Sequence, residues 1–315
     1  MEKIGNFSHE VATVQKPWTH LNFGDRGDGL DFCFGIVADR TGRARPGVFE
    51  GAIDKLNRMR PEFVMSVGDF IPGFCMEDFS DAFLEKQWAE VNPMIEKCIP
   101  PFFYVVGNHD YAPENGSHPN AALWKKMFGV SYYYFIYKKT LFLCLNTVED
   151  TSGLGEKQTQ WALDVLKKHT DVRWTFVFMH QPGIWHTPDF AKIEDALYER
   201  NYTVFAGDLH AYTKYVRNGR KYMMLGTTGG GDVRVAQGQR GVHFGEFDHI
   251  TWVSMCGDRP DFTHIALDGI YDENVVTTEK ITWLTAKYFR ANKKLPAGEA
   301  ERLRALGIDI EESEF

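Results

Sequence analysis

Apolar runs recur along the chain, and several of them stop abruptly at polar or acidic residues. Phe34 to Ala38 ends in Asp39, Phe63 to Val67 ends in Gly68-Asp69, and Pro101 to Val106 ends in Gly107-Asn108-His109-Asp110. Thr175 to Met179 ends in His180-Gln181-Pro182, and Thr203 to Ala206 ends in Gly207-Asp208-Leu209-His210. Short apolar runs bounded by turn residues predict buried strands. Between them lie segments with helical spacing, such as Val48, Ala52, Ile53 and Leu56 in 47–60. The pattern predicts strands at 31–38, 62–67 and 101–106 alternating with helices at 47–60 and 78–97. A helix at 120–128, paired strands at 132–137 and 141–146, a helix at 156–169, a strand ending at His180 and a helix at 190–200 follow. Asn218-Gly219 between 212–217 and 221–225 has the residues a type I′ hairpin turn needs, and further strands are expected at 249–255, 262–267 and 275–281. Parallel units first and antiparallel strands later fit an α/β fold of two mixed sheets packed face to face and flanked by helices.

The strand ends carry the chemistry. Asp39, Asp69, Asn108, His180, and the pair Asp208 and His210 would gather at one sheet edge, where open α/β folds place their sites. A single strand-terminal Asp or His is ordinarily a cap or a turn residue. A mixed set of oxygen and imidazole donors without a thiolate suits hard-to-borderline divalent metals.

The ordered series Asp39, Gly68-Asp69, Gly107-Asn108-His109-Asp110, His180 and Gly207-Asp208-Leu209-His210 resembles the ligand series of calcineurin-like metallophosphoesterases. The resemblance implies a two-metal hydrolase of phosphoric esters acting through a metal-bridging hydroxide. Asp69 would bridge the ions, Asp39 and His210 would hold the first, and Asn108 and His180 the second. His109 would donate a proton to the leaving oxygen, with Asp110 fixing its tautomer. Two positions depart from the family pattern. Thr41 stands where a second histidine of the first motif is usual, and Asp208 replaces the first histidine of the last motif. Aspartate can ligate, so Asp208 is expected to serve the second metal, whereas water would fill the place left by Thr41. The harder donor set favours Mn, Fe or Mg, with Zn also possible. A phosphomonoesterase is the expected activity; a phosphodiesterase acting on a nucleotide or lipid headgroup, and a non-catalytic scaffold, are the alternatives.

The loop after the first strand carries Arg40, Arg43 and Arg45, and Arg40 or Arg43 could clamp a phosphate bidentately. Trp185 and His186, close behind His180, are expected to touch substrate. The aromatic segment 131–137 reads as sheet packing, Gly229-Gly230-Gly231 as a tight turn, and His243 and His249 as structural.

At 315 residues with 43% hydrophobic content, the chain can bury the core of one large catalytic domain. We assign this domain to 31–285, with an N-terminal extension at 1–30 packed on it and a C-terminal helix with an acidic tail at 286–315. A formal net charge of −8 argues against general nucleic-acid binding and leaves a small phosphorylated substrate as the expected partner. No apolar run is long enough to span a bilayer, and five scattered cysteines without metal-type spacing favour a reducing, cytoplasmic setting.

Overall fold

The computed structural model describes residues 1–73, 80–117, 119–183, 188–231, 245–267 and 269–277. Strands β1 (Glu2–Ile4), β2 (Phe7–His9) and β3 (Phe32–Val37) precede helix α1 (Val48–Met59), β4 (Phe63–Ser66), α2 (Asp81–Glu96), β5 (Phe102–Phe103) and α3 (Ala121–Phe128). Hairpin strands β6 (Tyr133–Tyr137) and β7 (Thr140–Cys144) lead to α4 (Gly155–Lys168), β8 (Trp174–Phe178), α5 (Phe190–Leu197) and β9 (Tyr202–Ala206). The hairpin β10 (Thr213–Arg217) and β11 (Arg220–Met224) is followed by β12 (His249–Cys256), β13 (Arg259–Ala266) and β14 (Tyr271–Asp272).

The strands form two mixed sheets. An eight-stranded sheet has the order β1-β2-β6-β7-β8-β9-β11-β10, and a six-stranded sheet the order β14-β13-β12-β3-β4-β5. Strands β3, β4 and β5 run parallel, as do β7, β8, β9 and β11. Their carboxyl ends therefore deliver the loops that carry the polar residues.

Phenylalanines fill the space between the sheets. Phe34 and Phe63 stack at 5.2 Å from one sheet, and Phe135 and Phe142 at 4.6 Å from the other. Helices α1, α2 and α3 cover the outer face of the six-stranded sheet, while α4 and α5 cover the eight-stranded one. Such rings bury a large apolar area with few rotatable bonds, which suits a dry interface between two pleated surfaces.

Several expectations shift in detail. Helix α1 buries Phe49, Ala52, Ile53 and Leu56, so its apolar face begins at Phe49 rather than Val48. Strand 101–106 shortens to β5, because Tyr104 to Val106 leave the ladder, Tyr104 donating its N–H to Pro17. The N-terminal segment adds two strands that its composition hid, β2 pairing with β6. At Asn218-Gly219 both residues have positive φ, 52° and 71°, as the turn requires. Near the end of the described chain the edge strand is Tyr271–Asp272, ahead of the 275–281 expected, and residues 278–281 lie outside the described residues, as does the helix and tail of 286–315.

Candidate active site

The strand ends converge. One ligand atom from each of Asp39, Asp69 and His210 lies within 4.8 Å of the others. His210 Nε2 is 3.2 Å from Asp39 Oδ2, and His180 Nε2 is 3.3 Å from Asp69 Oδ2 and 3.6 Å from Asp208 Oδ1. Asn108 Oδ1 accepts from His180 Nε2 at 2.8 Å. All six residues named from the strand ends thus face a common centre, in which Asp39, Asp69 and His180 are buried.

Backbone geometry makes this convergence possible. A Cβ on Gly107 would stand 2.2 Å from Asp69 Oδ1, and one on Gly207 would stand 2.3 Å from Asp39 Oδ1. Only glycine lets the strand-end loops approach the carboxylates so closely. Asp69, Asp208 and His210 adopt left-handed φ values of 62°, 72° and 53°. Such strain in non-glycine residues concentrates at functional sites. The glycine run joins the same frame, with Gly230 N–H donating to Asp39 O at 3.0 Å and Gly231 N–H to Gly42 O at 2.9 Å.

Electrostatics in the centre are dominated by crowded carboxylates. Burial pushes Asp39 above the usual carboxylate range, whereas Asp69, despite burial, is held below it by the neighbouring His180 and His109. Burial opposes charge on His180, but Asp69, Asp39 and Asp208 drive its pKa up to about 10. Its two ring nitrogens face acceptors, Val67 O at 2.8 Å and Asn108 Oδ1, so the protonated ring satisfies both. Burial likewise opposes charge on His210, yet the hydrogen bond and charge of Asp39 raise it above the ordinary imidazole value. The crowded carboxylates thus favour positive charge on both rings.

The donor set fits divalent cations. Asp39 Oδ1 is buried and takes no hydrogen bond among the described residues, and Thr41 Oγ1 is in the same condition. Buried polar atoms are ordinarily paired, so an orphaned carboxylate oxygen beside two other ligand-type side chains fits an ion.

The structure gives Asp110 a task different from the one expected. Its carboxylate accepts the backbone N–H groups of Asp69 (2.7 Å), Gly107 (3.0 Å), Phe70 (2.8 Å) and Ile71 (3.2 Å). Burial and the Asp69 charge push its pKa up to about 7, and the donated N–H groups oppose that rise. His109 is oriented instead by Pro72, whose carbonyl accepts from Nδ1 at 2.8 Å, leaving Nε2 3.9 Å from Asp69 Oδ2. With both oxygens engaged by its own loop and its neighbour's, the Asp110 carboxylate holds the backbone rather than the imidazole.

Arg40 also departs from expectation. Its buried guanidinium donates to Phe70 O at 3.0 Å and pairs with Glu90 at 2.7 Å, which fixes it to α2 rather than to a substrate. Arg43 is exposed in a left-handed turn with φ 70°. Arg45 donates to Gly230 O and pairs with Asp248 at 2.6 Å, a bracing role the sequence did not reveal. Trp185 and His186 lie outside the described residues.

A polar centre at the carboxyl edge of two face-to-face sheets defines the class of a strand-end metallohydrolase. The calcineurin-like phosphoesterase profile matches residues 20–213, and the chain belongs to that family of metal-dependent phosphoester hydrolases. Among solved structures, PhoD superposes with a TM-score of 0.55 at 12% identity, covering 77% of this chain and 71% of PhoD. GAP50, described as the anchor in the inner membrane complex of Plasmodium, gives a TM-score of 0.52 at 15% identity, covering 77% of this chain and 88% of that one. These similarities are similarities of fold. No curated protein matches the chain, and no helix among the described residues is long and apolar enough to cross a membrane.

Proposed function

We propose that the protein is a phosphomonoesterase that holds two divalent ions at the strand-end cluster. The observation that carries this reading is the convergence of Asp39, Asp69 and His210 around the unpaired Asp39 Oδ1. Asp69, facing His210 on one side and His180 on the other, is the shared carboxylate. Asp39 and His210 hold one ion; Asn108, His180 and Asp208 hold the second. When bound, such ions polarise phosphoryl oxygens and lower the pKa of a coordinated water. Mn, Fe or Mg suits the oxygen-rich set better than Zn.

The chain's own groups do the rest. Val67 O fixes the His180 ring so that Nε2 points into the centre, as second partners of ligating histidines do. Pro72 O holds His109 with Nε2 toward the same centre, where a protonated ring can give its proton to a departing oxygen. Asp110 keeps the Asp69 loop in its strained conformation. With Arg40 tied to Glu90 and Arg45 to Asp248, Arg43 is the loop arginine we assign to substrate phosphate.

A monoester dianion gains more from a paired-cation centre than a diester monoanion does, which favours the monoester. The net charge of −8 disfavours polymeric nucleic acid as substrate, and free cysteines at 33, 98, 144 and 256 suit a reducing, cytoplasmic compartment. A scaffold would have no use for buried carboxylates beside raised imidazoles. Comparing kcat/KM for alkyl monoesters and diesters with Mn, Mg and Fe tests the assignment: faster monoester turnover supports it, and turnover of diesters alone overturns it.

A further inference from the structure

The glycine-rich segment after β11 is wedged between two strand ends. Thr227 bridges to Asp39, beyond β3, on one side and to Asp248, ahead of β12, on the other. Thr228 N–H and Gly230 N–H both donate to Asp39 O, at 2.9 Å and 3.0 Å. Thr228 Oγ1 accepts from Ala38 N–H at 2.9 Å and donates to His249 O at 2.8 Å. A Cβ on Gly230 would lie 2.1 Å from Thr41 O and 2.9 Å from Asp39 O, so this approach requires glycine. The main chain of Asp39, whose Oδ1 is the orphaned ligand atom, is therefore clamped by this segment as well as carried by β3.

Gly229, Gly230 and Gly231 bring no side chains to hold the clamp in place, and glycine loses more conformational freedom on ordering than any other residue. The segment is held from outside. Asp248 Oδ1 accepts from Thr227 Oγ1 at 2.8 Å, Gly229 N–H at 2.9 Å and Arg45 Nη2 at 2.6 Å. The same Arg45 nitrogen donates to Gly230 O at 2.8 Å, and the Arg45 backbone N–H donates to Gly229 O at 2.8 Å. The ion pair is charge-assisted, and its side chains are only 23% and 14% exposed, which sets it apart from surface pairs that fix little geometry. Asp248 and Arg45 thus grip both edges of the segment whose amides hold Asp39.

We propose that Asp248 and Arg45 are positioning residues for the Asp39 and His210 metal site, keeping the amide clamp on Asp39 so that its free carboxylate oxygen is ordered before an ion arrives. The assignment rests on the two-metal reading above and deepens it, naming what preorganises one of the two sites. Groups that orient a ligand from behind typically set metal affinity by about 10–100-fold. The second site has its own support, since His180 is held by Val67 O at 2.8 Å. Loss of the Asp248–Arg45 pair should therefore fall on one ion and not on both.

The test titrates chelator-treated full-length protein with Mn by calorimetry, with no substrate present. In Asp248→Asn one of the two ions should bind about 10–100-fold more weakly and the other nearly as in wild type. Arg45→Met should do the same, whereas Arg45→Lys should retain most of the affinity, because one guanidinium nitrogen makes both side-chain contacts. In a His210→Ala background, which lacks a ligand of the first ion, Asp248→Asn should leave the remaining ion unchanged. Glu194→Gln, which weakens the contacts to Arg217 and Tyr222, is the control for mere destabilisation: it should lower Tm without shifting Mn affinity. Thr227→Val removes one donor to Asp248 at nearly constant volume and should shift the same ion by a smaller factor, which tests the claim even if Asp248→Asn does not fold. Wild-type Mn affinity in the folded variants, equal weakening of both ions, or a shift of the same size in Glu194→Gln would overturn the positioning role. Wild-type protein that binds two Mn ions and turns over no phosphoester would instead refute the hydrolase reading and leave the positioning role standing; protein that binds no Mn would overturn both.

Discussion

Asp110 accepts the backbone N–H of Asp69 at 2.7 Å, so the carboxylate of one motif sets the conformation of the carboxylate in another. Asp69 sits at φ 62°, and the remaining Asp110 contacts to Gly107, Phe70 and Ile71 pin the loops on either side. In Asp110→Asn an amide nitrogen must face backbone donors. Each orphaned donor costs roughly 1–3 kcal/mol. The variant should melt at a lower temperature and lose activity equally on alkyl and nitrophenyl esters. A loss confined to alkyl esters would show that Asp110 acts through His109 after all.

His109 predicts the opposite pattern. An alkoxide needs a proton as it departs and a nitrophenolate does not, so His109→Ala should slow alkyl esters by roughly 10²–10⁴ and spare nitrophenyl esters. Comparing kcat/KM for the two ester types at saturating metal checks this. Equal losses would remove His109 as the proton donor.

Much of this arrangement is legible in the amino-acid sequence. The residues at the ends of apolar runs, Asp39, Asp69, Asn108, His180, Asp208 and His210, share one centre because strands of a sheet deliver their carboxyl ends to a common edge. What sequence hid were partners lacking side-chain signatures. The Pro72 carbonyl that orients His109 and the amides that occupy Asp110 belong to the backbone, and adjacency in sequence suggested a His109–Asp110 pair that folding does not make. Arg40 looked available for phosphate because Glu90 lies fifty positions away, on α2. Strand β2 escaped notice since Phe7-Ser8-His9 offers one hydrophobic residue, although all three are buried.

The raised imidazoles make metal affinity depend on pH. In metal-free protein, His180 and His210 contribute stability that is complete below the ordinary value of 6.5 and is lost as pH rises through their folded values, about 10 for His180. Ligation displaces those protons. The rise in Tm on adding Mn should therefore grow between about pH 6 and about pH 9, and calorimetry in buffers of different ionisation enthalpy should register proton release. A pH-independent Tm increment with no proton release would exclude both histidines as ligands.

The two departures from the family pattern should separate cleanly. Asp208 has φ 72°, a conformation asparagine also tolerates, so Asp208→Asn removes charge without breaking the turn. Metal content measured by elemental analysis should fall in this variant; wild-type content would show that Asp208 is not a ligand.

Thr41→Val replaces an orphaned buried hydroxyl at nearly constant volume. Chelator-treated Thr41→Val should be more stable than wild type by about 1–3 kcal/mol, and its metal content should be preserved. Loss of an ion would identify the hydroxyl as a ligand.

The most direct measurement is the initial rate of monoester hydrolysis as Mn is titrated into chelator-treated protein, with bound metal counted at each point. Turnover should be absent without metal, rise with occupancy and level off at about two ions per chain, and Asp69→Asn should abolish both the second ion and the rate. Full turnover in metal-free protein, or in Asp69→Asn, would contradict the assignment of the cluster as a dinuclear phosphoesterase centre.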